Sequence, residues 1–278
     1  MNPLSTIDEN FQEKVWESKI PLKFEMALCD IVSSSAPLTL YFSLPRIGYL
    51  TSIFGDILSS FENCISANVS DIWLEWNKIP LRWQYPLGVI VDSLKINIED
   101  GPIPINVHVR SMPIDQVLKY ENLDSLRLYY INSLKEANMI KFPLDNKILH
   151  LNKNDTDMLK KIVYSNDNKM IKEYRTIMNV VNGNGFEKIN RYPVRLVFAK
   201  TSFVICKPME YKPDENVMLL TMREYLDRAL GKETVDTLKG KCTIKVHGID
   251  IQESMPFLFY YLHFSYMDNF LYVCFVEE

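Results

Sequence analysis

The sequence predicts an α+β protein in which two strand-and-helix modules flank a helix-rich segment. Apolar residues alternate with polar ones in short segments near both ends of the chain, which is typical of half-buried strands. Between residues 113 and 183 this alternation gives way to helical spacing. Apolar residues make up 47% of the chain and charged residues 24%, which is the balance of a folded globular protein.

The first module is predicted at residues 20–112 and starts with a hairpin covered by a helix. Apolar side chains recur at helical spacing from residue 49 to 61, so this helix would bury one face against the hairpin. Pro86 suits the first turn of a second, short helix. Strands are predicted at residues 20–28, 38–42, 72–76, 80–85 and 105–110, and helices at 49–61 and 87–94.

A helix-rich domain is predicted at residues 113–183, and a short helical segment at residues 1–19. Helical spacing covers residues 114–120, 123–140 and 157–181, with an interruption near Phe142 and Pro143. The Asn182-Gly183-Asn184-Gly185 run is a strong turn signal, so we place the next domain boundary there.

The second module, at residues 184–278, repeats the order of the first. Thr221 and Glu224 have the spacing of a capping box, and Gly231 is a natural end for the helix behind them. The continuous apolar run at 270–276 predicts a central strand, buried on both faces. Strands are predicted at residues 192–199, 202–206, 242–247 and 270–276, with a short helix at 256–262. Hairpin, crossing helix and returning strands are the order of the ubiquitin-like β-grasp fold.

Motifs of catalysis and metal binding are absent from the sequence. The four histidines have no metal-binding spacing, the five cysteines form no C-x-x-C pair, and no phosphate loop or nucleophile elbow occurs. A net charge of −4 without a dense basic run argues against nucleic acid. We therefore expect no metal, no cofactor and no catalytic residue, and a cytoplasmic protein, since no signal peptide or membrane span is evident.

Several sequence blocks resemble the autophagy protein 5 family, in the family's order and across nearly the whole chain. They are LPRIGYL at 44–50, IWLEWNKIPLRWQYPLG at 72–88, SLKEA at 133–137, VHGI at 246–249 and SYMDNFL at 265–271. Met267 departs from the family pattern, in which proline is common at this position. The resemblance implies two ubiquitin-like β-grasp domains around a helix-rich domain, in agreement with the periodicity.

The resemblance also implies a function. A family member is joined covalently to the ubiquitin-like autophagy protein 12 and bound by a helix of the coiled-coil autophagy protein 16. The conjugate acts like a ligase that promotes lipidation of autophagy protein 8 with phosphatidylethanolamine. This implies contacts with the conjugating enzymes of the protein 12 and protein 8 systems, no enzymatic activity of the chain alone, and recruitment to the pre-autophagosomal structure as a peripheral membrane protein.

The lysine of the family's Lys-Glu-Ala block is the conjugation acceptor, which here implies Lys135. We expect it on a polar helix face. We also expect the partner helix to lie in a groove between the two ubiquitin-like domains, because such junctions offer concave apolar surface. Arg46, Tyr49, Trp83 and His247 are the candidate groove residues, since they lie in the matching blocks. Plain packing between domains is the alternative role for each of them.

Two other functions remain open from sequence. One is a freestanding enzyme of unfamiliar type. The other is a non-conjugated, membrane-associated interaction module, whose contact with anionic lipid would use Lys160, Lys161, Lys169 and Lys172.

Overall fold

Two sheets with the same strand order form the two modules that the sequence predicts. The computed structural model describes residues 9–32, 38–65, 71–164, 168–182, 189, 191–198, 203–212, 216 and 219–277. Helix α1 (Glu9–Glu17) precedes the first sheet. The strands of that sheet are β1 (Lys19–Met26), β2 (Leu40–Pro45), β3 (Trp73–Trp76), β4 (Ile79–Pro80) and β5 (Ile103–His108).

The first sheet has the strand order β2-β1-β5-β3-β4, in which β1 and β5 are parallel and the other neighbours antiparallel. This is the β-grasp order. Every second residue of β1, from Ile20 to Met26, is buried, so one face of the sheet is apolar. Helices α2 (Phe54–Phe61) and α3 (Leu87–Ser93) cover the module, and Pro86 precedes α3 as predicted. The turn of the predicted hairpin, at residues 33–37 between β1 and β2, lies outside the described residues.

The middle segment is helical, as predicted. Helix α4 (Leu123–Lys141) begins where the Asn122 side chain accepts a hydrogen bond from the amide of Asp124, and it ends directly before Phe142 and Pro143. The single helix predicted at residues 157–181 is instead two helices, α5 (Lys153–Ile162) and α6 (Asn168–Asn182). The sequence between them contains the polar run Ser165-Asn166-Asp167; such residues favour turns, and helical spacing alone overlooked this signal.

The second sheet repeats the strand order of the first. In chain order the elements of the second module are β6 (Arg191–Tyr192), β7 (Val194–Phe198), β8 (Phe203–Cys206), β9 (Met209–Glu210), α7 (Met222–Leu230), α8 (Lys232–Lys239), β10 (Cys242–Val246), β11 (Ile249–Asp250), α9 (Phe257–Phe264) and β12 (Leu271–Glu277). The order within the sheet is β8-β7-β12-β10-β11, with β7 and β12 parallel. Helix α7 starts with the predicted capping box of Thr221 and Glu224 and ends at Gly231, whose φ of 86° suits glycine. The sequence did not predict α8 or β11.

Two further predictions about local structure are wrong. The strand predicted at residues 80–85 ends at Pro80, and the amide of Tyr85 donates to the carbonyl of Arg82 at 3.2 Å, which forms a turn. The adjacent side chains of Trp83 and Gln84 are both buried, so the segment lacks the alternation of a strand. The helix predicted at residues 114–120 is only a turn, closed by a 3.0 Å bond from the amide of Val117 to the carbonyl of Pro113.

Strand β12 is buried on both faces, as its continuous apolar sequence predicted. Its neighbours in the sheet are β7 and β10. Among the described residues, Leu271, Val273 and Phe275 belong to the core of the second module. The alternate residues Tyr272, Cys274 and Val276 belong to a core shared by the first module and the helical segment. The same strand therefore contributes to both cores.

The position of β12 predicts a large difference between two identical substitutions. Leu271 is fully buried and Leu219 is 69% exposed. We expect Leu271→Ala to lower the free energy of unfolding by about 2–5 kcal/mol, because it removes buried methyl groups and leaves a cavity, whereas Leu219→Ala should change it by less than about 0.5 kcal/mol. Urea denaturation of both variants measures this; equal effects would contradict the buried position of β12.

Candidate functional site

Lys135 lies on α4 between side chains that fix the helix in place. Leu134 and Ala137 are fully buried, whereas Lys135 is half-buried. The side-chain amide of Asn146 donates to the backbone carbonyl of Lys135 at 3.1 Å, which ties the following loop to the helix. In the part of the chain that the structure describes, the amine of Lys135 makes no ion pair. The backbone is thus held firmly and the amine is left available.

Lys135 lines a concave surface between α4 and α5, and the groove above this surface has a volume of about 940 Å³. Leu128 and Leu149 are exposed there, so the surface is partly apolar. Charges of both signs surround them, from Asp124, Arg127, Asp157, Lys160 and Lys161. An apolar floor with a mixed-charge rim suits contact with another protein. We call this the α4–α5 surface.

The expected polar face around Lys135 is only partly present. Asn132 and Glu136 are exposed, but Asn138 is buried, and its side-chain oxygen accepts from the amide of Ile148 at 3.4 Å. Glu136 points away from the α4–α5 surface and pairs with Arg195 of β7 at 2.7 Å. Lys135 is therefore one residue from an ion pair that connects α4 to the second module.

Arg46 and His247 lie at the junction of the two ubiquitin-like modules, where both are buried. The guanidinium of Arg46 forms an ion pair with the carboxylate of Asp92, within the first module. From the second module, the His247 ring stacks on Tyr266 with centroids 4.0 Å apart. Gly248 has a φ of 79°, in the left-handed region that favours glycine, and a Cβ atom there would lie 3.0 Å from the Arg46 guanidinium.

Burial strongly disfavours the charged form of His247. It lowers the pKa of the imidazole to about 3, and the neighbouring Arg46 guanidinium adds to the effect. His247 is neutral in the folded protein at physiological pH, and its backbone φ of 50° is in the left-handed region. The residue is therefore held in a conformation that Asn also tolerates but β-branched residues do not.

Tyr49 and Trp83 connect the first module to the helical segment, and both are buried. The Tyr49 ring packs edge-on against Tyr130 of α4, with centroids 6.5 Å apart. The indole N–H of Trp83 donates to the carbonyl of Leu118 at 2.6 Å. All four candidate groove residues, Arg46 and His247 included, are therefore buried. Their burial fits the alternative role, which is packing between domains.

An apolar cleft does lie between the two modules, but it is lined by residues that the sequence did not single out. The cleft encloses about 40 Å³. Its lining includes Tyr85, Ile90 and Leu94 from the first module, and Val197, Phe198 and Val204 from the second. Tyr85 lies in a block that the resemblance covers, but Phe198 and Val204 do not, so no signal in the sequence connected the two sides. We call it the intermodule cleft.

One cluster of metal-binding residue types was not expected from the spacing of the histidines. Cys29, Asp30 and His108 bring ligand atoms within 4.8 Å of one another. Asp30 is buried, and its carboxylate already contacts Nδ1 of His108 at 3.2 Å and accepts from the amide of Val109 at 3.3 Å. These contacts join the loop after β1 to the end of β5, which accounts for the cluster structurally.

The lysines considered for membrane contact are dispersed. Lys160 and Lys161 line the α4–α5 surface, Lys172 is exposed on α6, and the side chain of Lys169 lies outside the described residues. Across the described ranges, every helix is too short or too polar to cross a bilayer.

The strand order of both sheets and the helices between them define a protein with two ubiquitin-like domains joined through a helical domain. The family model "Autophagy protein ATG5, UblA domain" matches residues 15–111, and "Autophagy protein ATG5, UblB domain" matches residues 191–275. Together they cover well over half of the sequence. The chain belongs to the autophagy protein 5 family.

Similar proteins agree with this assignment. Autophagy-related protein 5 of Caenorhabditis elegans is 26% identical over 276 residues, covering 96% of this chain and 98% of that protein. Autophagy protein 5 of Arabidopsis thaliana is 31% identical over 153 residues, a match that spans 55% of this chain and 45% of the plant protein. The crystal structure of Kluyveromyces marxianus Atg5 has a TM-score of 0.79 at 18% identity and covers 97% of this chain and 100% of that chain, which shows the same fold.

The buried neutral state of His247 predicts a pH-dependent loss of stability. The pKa of the His247 imidazole is about 3 in the folded protein, against an ordinary value of 6.5. Between these two pH values the imidazole binds a proton in the unfolded chain but not in the folded one, so the free energy of unfolding falls as the pH is lowered. In His247→Asn this contribution is gone. The free energy of unfolding of the native protein, relative to that of the variant, should therefore decrease by about 1.4 kcal/mol per pH unit from pH 6 to pH 4.

Urea denaturation at several pH values measures this difference. His150→Asn is the matched control, because it makes the same substitution at an exposed site. If the His247→Asn variant and the native protein lost stability in parallel on acidification, His247 would not be held neutral.

Proposed function

We propose that this chain is an autophagy scaffold to which the ubiquitin-like autophagy protein 12 is joined covalently through Lys135. The observation that supports it is the position of Lys135, with a fixed backbone and an amine at the edge of the partly apolar α4–α5 surface. A modifier attached there would have a surface against which to pack. Membership of the autophagy protein 5 family supports the same role.

Conjugation at Lys135 would be an acyl transfer. The lysine amine attacks the carbonyl of the thioester that links the modifier's C-terminus to its conjugating enzyme; the new amide bond forms, the enzyme's thiolate leaves, and the ammonium proton is lost to a base. A lysine amine in water is neutral in only about one of a few thousand molecules at neutral pH. The activating base therefore belongs to the conjugating enzyme, and Lys135 is a substrate residue.

Replacing Lys135 tests this proposal directly. Lys135→Arg keeps the charge and the long side chain, but a guanidinium does not form the amide, so the higher-mass conjugate should disappear from cells. Lys160→Arg is the matched control, because Lys160 lies on the same surface, and it should leave the conjugate intact. Immunoblotting measures both. Persistence of the conjugate in Lys135→Arg would disprove this acceptor, and normal autophagosome formation without any conjugate would favour a non-conjugated membrane-associated module.

The intermodule cleft is the proposed site for an amphipathic helix of autophagy protein 16. It is apolar, it lies between the two ubiquitin-like domains, and Tyr85, Leu94, Phe198 and Val204 are only partly buried in the free chain. Burial of this surface by an apolar helix face would stabilise a complex. The candidate residues Arg46 and His247 would act beneath it by fixing how the two modules meet.

A charge in the cleft should prevent helix binding without preventing conjugation. We expect Val204→Glu to weaken binding of the partner helix by about a hundredfold or more, because a carboxylate would be desolvated on complex formation. Val180→Glu is the matched control: Val180 is 70% exposed on α6, and the same change there should have little effect. Titration calorimetry measures affinity. Unchanged affinity in Val204→Glu would place the helix elsewhere.

In the complete complex, the conjugate promotes transfer of autophagy protein 8 to phosphatidylethanolamine. The chain contributes binding surfaces to the conjugating enzymes of both systems, and the chemistry is theirs. We further propose a cytoplasmic protein that reaches the pre-autophagosomal membrane as a peripheral component of this complex, with basic residues such as Lys160 and Lys161 adding electrostatic contact with anionic lipid.

A further inference from the structure

A small cavity of about 70 Å³ lies where α1, α4 and α6 meet the second module. Two basic side chains line it, Lys141 from α4 and Arg175 from α6. The rest of its lining comes from neutral side chains, and of the residues that the structure describes no carboxylate is among them. The cavity therefore collects positive charge without an acidic partner.

Several hydrogen-bond donors at this cavity lack an acceptor. The indole N–H of Trp16 has no hydrogen-bond partner, although its side chain is only 3% exposed. Nε and Nη2 of Arg175 are likewise buried without a hydrogen-bond partner, and the guanidinium carbon lies 5.4 Å from the centre of a Trp16 ring. Buried donors are normally satisfied, because an unmade hydrogen bond costs about 1–3 kcal/mol. Unmatched donors of this kind point to a ligand with acceptor oxygens.

Lys141 is held in place by neutral acceptors. Its amine donates to the side-chain oxygens of Asn269, at 2.9 Å, and Asn182, at 3.1 Å. It also lies 5.3 Å from the centre of the Tyr261 ring. Burial lowers the pKa of this amine to about 7, since no charged partner offsets the desolvation of the ammonium ion. A bound anion would favour the ammonium form.

We propose that this cavity is a binding site for a single tetrahedral oxyanion, a phosphate or sulfate group. Its oxygens would accept hydrogen bonds from Trp16, Arg175 and Lys141. A guanidinium fork and an ammonium ion are the donors that proteins commonly use for such groups. The cavity opens along α6, where Asn179 is exposed and Arg175 half-buried, so the group can be free phosphate or the end of a phosphorylated lipid headgroup.

The bound group would join three parts of the chain. Trp16 belongs to α1, Arg175 to α6, and the cavity is completed by Tyr261, Ser265 and Asn269 of the second module. Occupancy should therefore stabilise the attachment of α1 and α6 to the second module. This inference is independent of conjugation, because Lys135 does not line the cavity.

Inorganic phosphate is the first probe, applied to the full chain labelled with 15N. We expect phosphate, compared with chloride at equal ionic strength, to shift the indole N–H signal of Trp16, which Trp16→Phe assigns, and to leave the other indole signals in place. Arg175→Gln should weaken this binding about tenfold to a hundredfold, through loss of charged hydrogen bonds. Lys172→Gln is the control, because Lys172 is exposed on the same helix and does not line the cavity.

Sulfate should compete with phosphate at this signal. Absence of a Trp16 shift at tens of millimolar phosphate would overturn the proposal, as would an equal loss of binding in Arg175→Gln and Lys172→Gln. Vesicles containing a phosphatidylinositol phosphate separate the two sources of the group. Vesicle binding that is lost in Arg175→Gln and competed by phosphate assigns the site to a headgroup, whereas a phosphate response without such binding assigns it to the free ion.

Discussion

The structure depends on the burial of β12 between two cores. Alternate side chains of this strand enter the second module on one face and the shared core of the first module and helical segment on the other. On that second face the strand packs against α3 of the first module. Separation of the modules would expose the apolar side chains of this second face, in the middle of a sheet, to water. The three parts therefore fold against one another and are not independent units on linkers.

Buried polar contacts along the same face fix how these parts meet. Arg195 of β7 donates to the hydroxyl of Tyr272 at 2.8 Å, pairs with Glu136 of α4, and lies with its guanidinium carbon 3.8 Å from the centre of the Phe270 ring. The Tyr272 hydroxyl in turn donates to the carboxylate of Asp268 at 2.6 Å. Apolar packing alone would tolerate a range of orientations, whereas a buried guanidinium with an ion pair and hydrogen bonds is satisfied in only one.

How far the sequence predicted this arrangement depends on whether the signal was local. The capping box of Thr221, the end of α4 before Pro143 and the apolar run of β12 are local signals, and all three predictions are confirmed. The separation of α5 from α6 was missed because a short polar run outweighs helical spacing. Contacts between residues far apart in the sequence gave no such local signal. Arg46 and His247 are buried where the two modules meet, and Tyr85 and Phe198 line the intermodule cleft from different modules.

The contacts that fix α4 against the second module also fix the position of Lys135, the proposed conjugation acceptor. Lys135 is next to Glu136, whose ion pair with Arg195 ties the helix to the strand beside β12. The intermodule cleft is lined by that same strand β7. A modifier at Lys135 and a helix in the cleft would therefore be held at a fixed separation by one rigid set of contacts. Holding two groups in fixed relative positions raises the effective concentration of each for whatever the other recruits, so under the proposed function this chain would act by positioning its partners.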